Sequence, residues 1–145
     1  MENNNMHIGR KIREVLNMFR RNIEYAANES GITMVQGRLL HYINVRSKSS
    51  VVYQKDLEME FNIRRSSASE MLQKLENKGL IIRESDEKDK RVKTIRLTDH
   101  GEMLENSVFS QVCKFENEII KDIPQNKLDV FFEVLENINN NIKKI

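Results

Sequence analysis

The stretch Arg64-Arg65-Ser66-Ser67-Ala68-Ser69-Glu70-Met71-Leu72-Gln73-Lys74-Leu75-Glu76-Asn77-Lys78-Gly79, with its continuation to Gly101, decides the fold. It opens polar and basic. Ala68, Met71, Leu72 and Leu75 then fall on one face at helical spacing, so a helix is expected from Arg65 to Lys78, stopped at Gly79. Ser67-x-x-Glu70 also fits a capping box that would start the helix later, and Glu70 alternatively pairs with Lys74 one turn on. The earlier start is favoured because it keeps the four apolar residues on one inward face. A strand is expected over Ile81–Ser85, then the charged tip Asp86-Glu87-Lys88-Asp89-Lys90-Arg91, then a second strand over Val92–Leu97. In that strand Lys93, Ile95 and Leu97 share one face and Val92, Thr94 and Arg96 the other.

A helix whose exposed start is basic and hydroxyl-rich can enter a DNA groove. A two-stranded ribbon with a cationic tip beside it can reach a neighbouring groove. This order is that of a winged helix-turn-helix. Arg64, Arg65, Ser66, Ser67 and Ser69 lie on the first turns of the expected recognition helix. Helix N-terminal amides attract phosphate, and an Arg can hold guanine O6 and N7 with two hydrogen bonds. Lys74, Lys88, Asp89, Lys90 and Arg91 complete the expected DNA-contacting set. The bland alternatives are a solvated helix start and a charged hairpin that touches nothing.

The same residues resemble the MarR family of bacterial transcriptional regulators. The family has an Asp-x-Arg-Asp-x-Arg-like wing tip a few residues before Leu-Thr-x-x-Gly; here Asp86-x-Lys88-Asp89-x-Arg91 precedes Leu97-Thr98-x-x-Gly101. Leu75-Glu76-Asn77-Lys78-Gly79-Leu80-Ile81-Ile82-Arg83 is similar to the family's helix exit, Leu-Glu-x-x-Gly-Leu-(apolar)₂-Arg. These specific motifs sit between about residues 53 and 101, and the flanking helices match in pattern alone. The resemblance implies a mainly helical homodimer with a small β-wing, its winged helix-turn-helix flanked by long dimerisation helices. It implies a sequence-specific double-stranded DNA-binding regulator, a repressor, on a pseudo-palindromic operator, released by a small aromatic or amphipathic effector. It also implies that Arg91 enters a minor groove and that Asp89 orients it. Departures from the family pattern are Tyr53 for a Thr or Ser cap, Glu58 for a small Ala, Arg64 for a Ser cap and Lys88 for the first wing Arg.

With 145 residues, the chain is of one-domain length, and an apolar content of 39% suits a modest core supplemented by a shared dimer core. Net charge is only +2, but it is unevenly placed. Residues 64–98 hold ten Lys/Arg against six Asp/Glu, whereas residues 99–145 hold five against nine. The middle is therefore the expected polyanion-binding surface. A single cysteine, Cys113, excludes an internal disulfide framework; placed among apolar residues, it reads as a buried, inert thiol. No signal-peptide pattern and no long apolar run is visible, so a cytoplasmic location without membrane contact is expected. The polar start Met1-Glu2-Asn3-Asn4-Asn5 reads as frayed.

Outward from the motif, Ile8, Ile12, Val15, Leu16, Phe19 and Ile23 recur at helical spacing, which places a first helix over about Ile8–Asn28, broken at Gly31. Thr33-x-x-Gln36 reads as a capping box opening a second helix with Leu39, Leu40 and Ile43 inward. Val51-Val52 suits a short strand, and a brief helix over about Gln54–Phe61 would bury Leu57 and Phe61. Thr98 is placed as N-cap of a fifth helix over about Asp99–Lys121, with a stripe of Met103, Leu104, Val108, Val112, Phe115 and Ile119. Pro124 opens a last helix carrying Leu128, Phe131, Leu135, Ile138 and Ile142. Three regions follow: a dimerisation helix at 1–32, the DNA-binding lobe at 33–98 and two further dimerisation helices at 99–145.

Met18, Phe19, Arg21, Tyr25, His41 and Tyr42 are candidates for an effector cleft, with core packing or plain surface as the alternative for each. His7, His41 and His100 are scattered, and although Glu24 and His41 occur, the fifth helix lacks a His-x-x-x-His pair, so no metal site and no cofactor is expected. There is no Gly-rich phosphate loop, His-Glu-x-x-His or nucleophile elbow, so an enzyme is not expected. The rival reading is a winged-helix protein-interaction module that no longer binds DNA.

Overall fold

Three helices end in the same way, and those ends set the turns of the lobe. At the exit of the helix Arg65–Asn77, Gly79 takes φ +67°, its N–H donates to Glu76 O at 2.8 Å and the N–H of Leu80 donates to Leu75 O at 3.0 Å. This paired arrangement satisfies carbonyls that a helix otherwise leaves open, and it needs a left-handed residue at its centre. Asn62, at φ +48°, plays that part after the short helix, where Ile63 N–H reaches Glu58 O at 3.1 Å. Gly31 does the same after the first helix, with Ile32 N–H on Ala27 O at 3.1 Å.

The computed structural model describes residues 7–145. The expectation for Met1 to Asn5 lies outside the described residues. The elements are α1 Ile8–Glu29, α2 Met34–Ser47, β1 Val52–Tyr53, α3 Gln54–Glu60, α4 Arg65–Asn77, β2 Ile81–Ser85, β3 Lys93–Leu97, α5 Asp99–Ile120 and α6 Gln125–Ile142. The strands form one antiparallel sheet in the order β1-β3-β2. Its register pairs Ile81 with Leu97, Arg83 with Ile95 and Ser85 with Lys93, and pairs Tyr53 with Thr94. The element order is that of a winged helix-turn-helix, with α3 and α4 as the helix pair and β2–β3 as the wing.

The described residues form two compact units, one ending at Val112 and one spanning Cys113–Ile145. The first unit has its own core: Leu39, Leu40 and Ile43 of α2, Leu57, Leu72 and Leu75 of the helix pair, Leu80 at the exit of α4, and Val52, Ile81, Ile95 and Leu97 of the sheet. The periodicity of the sequence is recovered here, because α2 and α4 bury the faces expected of them. Thr33 caps α2 as a full box: its hydroxyl accepts from Gln36 N at 3.2 Å, and Gln36 Oε1 accepts from Thr33 N at 3.1 Å. In the second unit Phe131 and Phe132 meet edge to face at 5.7 Å, and both are largely exposed in the single chain.

Four expectations are corrected. Met103 is 72% exposed, and the inward position beside it belongs to Glu105, which is 3% exposed. The second wing strand starts at Lys93, because the N–H of Val92 turns back to Asp89 O at 2.9 Å and closes the tip. Cys113 is half-buried in the single chain rather than enclosed. Pro124 stands one residue outside α6, as its N-cap, with Lys127 and Leu128 donating to its carbonyl.

The motif Leu97-Thr98-x-x-Gly101 and the exit Gly79-Leu80 prove to be one joint. The hydroxyl of Thr98 donates to Gly79 O at 2.6 Å and accepts from Gly101 N at 3.0 Å, while Thr98 N–H donates to Leu80 O at 3.1 Å. Gly101 passes so close that a Cβ there would stand 2.0 Å from Leu80 O. The joint locks α5 onto the foot of the wing.

Candidate nucleic-acid interface

α4 begins at Arg65, and Arg64 is its N-cap without a side-chain cap bond. The first-turn amides are therefore left for an outside acceptor, as an anion-binding helix start requires. Glu70 is not drawn back into a box; it pairs with Lys74 Nζ at 2.7 Å on the surface, and that pairing holds its carboxyl below the usual glutamate range. Arg64, Arg65, Ser66 and Ser69 are exposed and Ser67 is half-buried.

The wing tip is built around Asp86. One carboxylate oxygen accepts from the N–H of Lys88 at 2.7 Å and of Asp89 at 3.0 Å; the other accepts from the hydroxyl of Tyr53 at 2.9 Å. The Tyr53 hydroxyl first, then the amides of Asp89 and Lys88, hold the Asp86 carboxyl below the usual aspartate range. Asp89 accepts from the backbone N–H of Arg91 at 3.0 Å. It therefore shapes the chain under Arg91 and makes no bond to the guanidinium. Lys88, Asp89, Lys90 and Arg91 are all exposed.

The basic residues of this face divide into two kinds. Arg83 is bonded to Glu76 and Gln73, Arg96 to Glu84, Lys78 to Gly31 O and Gln36, Lys93 to Ser85 and Lys74 to Glu70. Arg64, Arg65, Lys88, Lys90 and Arg91 have no side-chain ion pair or hydrogen bond among the described residues. The first group holds the lobe together. The second stands at the helix start and the wing tip with its donors open, which is what a phosphate-binding surface needs.

Of the six residues expected to face an effector cleft, the structure brings two together. A cavity of about 360 Å³ is lined by His41 and Tyr42 with Ile23, Phe61, Glu105 and Phe109, whereas Met18, Phe19, Arg21 and Tyr25 stand outside its lining. His41 Nδ1 lies 2.7 Å from Glu105 Oε1 and its ring stacks on Phe109 at 4.6 Å; Asn44 Nδ2 donates to the other oxygen of Glu105. Tyr42 meets Phe61 edge-on at 5.8 Å. Among the described residues no group of three His, Cys, Asp or Glu is gathered as metal ligands would be, and no helix is long and apolar enough to cross a membrane.

Sequence reasoning passed over Asp86 and Tyr53 as organisers of the tip. An Asp opening a turn with two amides following is a recognisable signal for the first. Glu105 carried no signal, since its partners lie 61 and 64 residues away in the chain.

Together the helix pair, the wing and the open cations define a winged helix-turn-helix protein. A model of the MarR family matches residues 30–92. The Bacillus subtilis (strain 168) protein named as an uncharacterized HTH-type transcriptional regulator, YdgJ, is 29% identical over 94 residues, covering 65% of this chain and 57% of its own length. The chain thus matches little more than half of that curated relative. The transcription regulator MarR from Oenococcus oeni PSU-1 superposes with a TM-score of 0.70 at 26% identity, over 92% of this chain and 98% of its own. MepR of S. aureus, in a structure described as a DNA complex, superposes with a TM-score of 0.81 at 21% identity, over 96% and 99%. The chain is thus similar to MarR-family proteins in sequence over residues 30–92, and in fold over more than nine-tenths of its length.

Proposed function

We propose that this chain is a sequence-specific double-stranded DNA-binding transcriptional regulator that represses from a pseudo-palindromic operator as a homodimer. The observation that carries the reading is the set of open cations: Arg64 and Arg65 at an uncapped helix start, and Lys88, Lys90 and Arg91 at the wing tip. The helix start would take the major groove, with Ser66, Ser67 and Ser69 on phosphate or base edges. Arg91 would take the adjacent minor groove. Lys74 joins the set by exchanging an exposed carboxylate for a phosphate, a small change since exposed pairs of this kind are weak. MepR carries DNA on the same fold, in keeping with this reading.

The dimer would be made by residues 1–32 and 99–145 around the lobe at 33–98. Exposed Ile8, Ile12, Val15 and Leu16 of α1 and Phe131, Phe132 and Leu135 of α6 support it, because single soluble chains seldom leave so much apolar surface open. A small aromatic or amphipathic effector fits the apolar cavity beside His41 and Tyr42 and would act by releasing the DNA. The protein would work in the cytoplasm, with no catalytic activity. The rival interaction module without DNA has no use for cations with open donors at both reading elements.

The test is selection of bound duplexes from a random DNA pool, repeated with candidate effectors, together with sedimentation. The expected product is an inverted repeat with half-sites about 10 bp apart, bound by two chains. A monomer at micromolar concentration, or no sequence enrichment, would overturn the reading.

A further inference from the structure

Two consecutive residues at the start of α3 reach both surfaces assigned to DNA. Tyr53 belongs to β1, yet its hydroxyl bonds Asp86 at the exit of β2, on the far side of the central strand β3. Spanning two strand spacings, roughly 10 Å, takes a side chain as long as tyrosine. The backbone of Tyr53 is itself fixed, because its N–H donates to Asp56 at 2.8 Å in the first turn of α3. The next residue, Gln54, reaches the recognition helix. Its Nε2 donates to the carbonyl of Arg65 at 3.2 Å, at the first residue of the recognition helix, and to Glu58 at 2.9 Å.

We infer that Tyr53-Gln54 is a positioning device that fixes the span between the recognition-helix start and the wing tip, so that both enter their grooves in register. The inference rests on the DNA-binding reading above. Core packing alone does not account for these bonds: Val52 is the buried residue of β1, at 1% exposure, whereas Tyr53 and Gln54 are half-buried and spend their polar ends on the two reading elements. Asp86 is the hinge of the arrangement. The carboxylate that gathers the amides of Lys88 and Asp89 is the one that Tyr53 holds, so the cationic tip is tied to α3 through one side chain. A phenol bonded to an ionised carboxylate is a strong, directional tether. Without it the tip keeps its local turn, and β2 keeps the Arg83 bonds to Glu76 and Gln73 of α4, but the tip beyond the strand ends loses its tether to α3. Tyr53 and Gln54 are positioning residues; neither needs to touch DNA.

The test compares Tyr53→Phe, Arg91→Ala and the double variant of the full chain on duplexes selected as above, with A·T-rich and with G·C-rich flanks. Phenylalanine keeps the ring and removes only the tether. Tyr53→Phe is expected to weaken binding to the A·T-flanked duplex about tenfold and to the other much less. In the Arg91→Ala background it should add nothing, because the contact it places is already gone. Faster amide exchange at Lys88 and Asp89 of the free variant should accompany the loss. An affinity unchanged by Tyr53→Phe while Arg91→Ala weakens binding overturns this inference alone, as does an effect equal on both duplexes or additive with Arg91→Ala. Failure of the unsubstituted chain to bind any duplex overturns the DNA reading itself.

Discussion

Alanine at Gly101 should destabilise this protein, although glycine-to-alanine changes inside helices usually do the opposite. Gly101 lies in the first turn of α5, where the backbone tolerates alanine and the normal expectation is a gain of about 0.4–1 kcal/mol. Its Cβ, however, would stand 2.0 Å from Leu80 O and 3.0 Å from Leu80 C, both backbone atoms. An ordinary carbon–oxygen contact is about 3.3 Å or longer, so α5 and the foot of the wing must part by more than about 1 Å. That movement also strains the bond from Thr98 N–H to Leu80 O. Overpacking of about 1–3 kcal/mol and a weakened hydrogen bond of about 1 kcal/mol give a loss of about 2–4 kcal/mol. For a chain of this size the melting temperature should fall by about 10 °C. Gly37→Ala is the internal control, since its Cβ would meet Ile32 Cδ1 and Val108 Cγ1 at 3.7 Å, an ordinary contact. Urea unfolding of both variants measures the pair, and the midpoint should drop for Gly101→Ala and hold or rise for Gly37→Ala. If Gly101→Ala unfolds at the midpoint of the unsubstituted chain, or both variants shift alike, the account of the joint is wrong.

Three further outcomes are expected. Affinity for a selected duplex should fall with salt at a log–log slope of about −4.5 per bound chain, and about −9 for the dimer, at about −0.9 for each of Arg64, Arg65, Lys88, Lys90 and Arg91; a flat titration removes the phosphate contacts. Arg65→Ala should cost about 1–3 kcal/mol and relax preference at one base pair, while Arg91→Ala should act mainly on A·T-rich flanks, both read from binding to variant duplexes. Because the folded state holds the carboxyl of Asp86 below its ordinary range, that group stabilises the fold above about pH 4 and loses the contribution as pH falls through the lower folded value. Asp86→Asn should therefore flatten the acid side of a stability–pH profile, and an unaltered profile would show that the tip carries no linkage.

The lobe was legible because its signals are local. Ala68, Met71, Leu72 and Leu75 bear a 3.6-residue period, Thr33 and Gln36 a cap, and Ile95 and Leu97 an alternation; Met71 is half-buried against the core and the others are buried or bonded as read. Asp89 was visible as a wing residue, but not that it binds a backbone N–H, because which atom a side chain meets is set by the turn it sits in. Tyr53 looked like a poor substitute for a cap; its purpose lies 33 residues downstream, at Asp86. Met103 was misread because a hydrophobic period says nothing of which residues of a neighbouring helix offer donors. His41 and Asn44 do, and Glu105 takes the inward place. The cleft candidates on α1 failed to converge for a similar reason: composition marks a residue as able to bind, but only packing gathers the residues that do.

The open cations are unevenly matched by acids. At the wing tip Asp86, Glu87 and Asp89 stand among Lys88, Lys90 and Arg91, so that segment balances in charge, whereas Arg64 and Arg65 have no acidic residue beside them in the chain. The two ends should therefore answer differently to added salt, whose screening length is about 8–10 Å near physiological strength: the helix start presents net charge to a distant polyanion, and the tip presents donors that act only at contact.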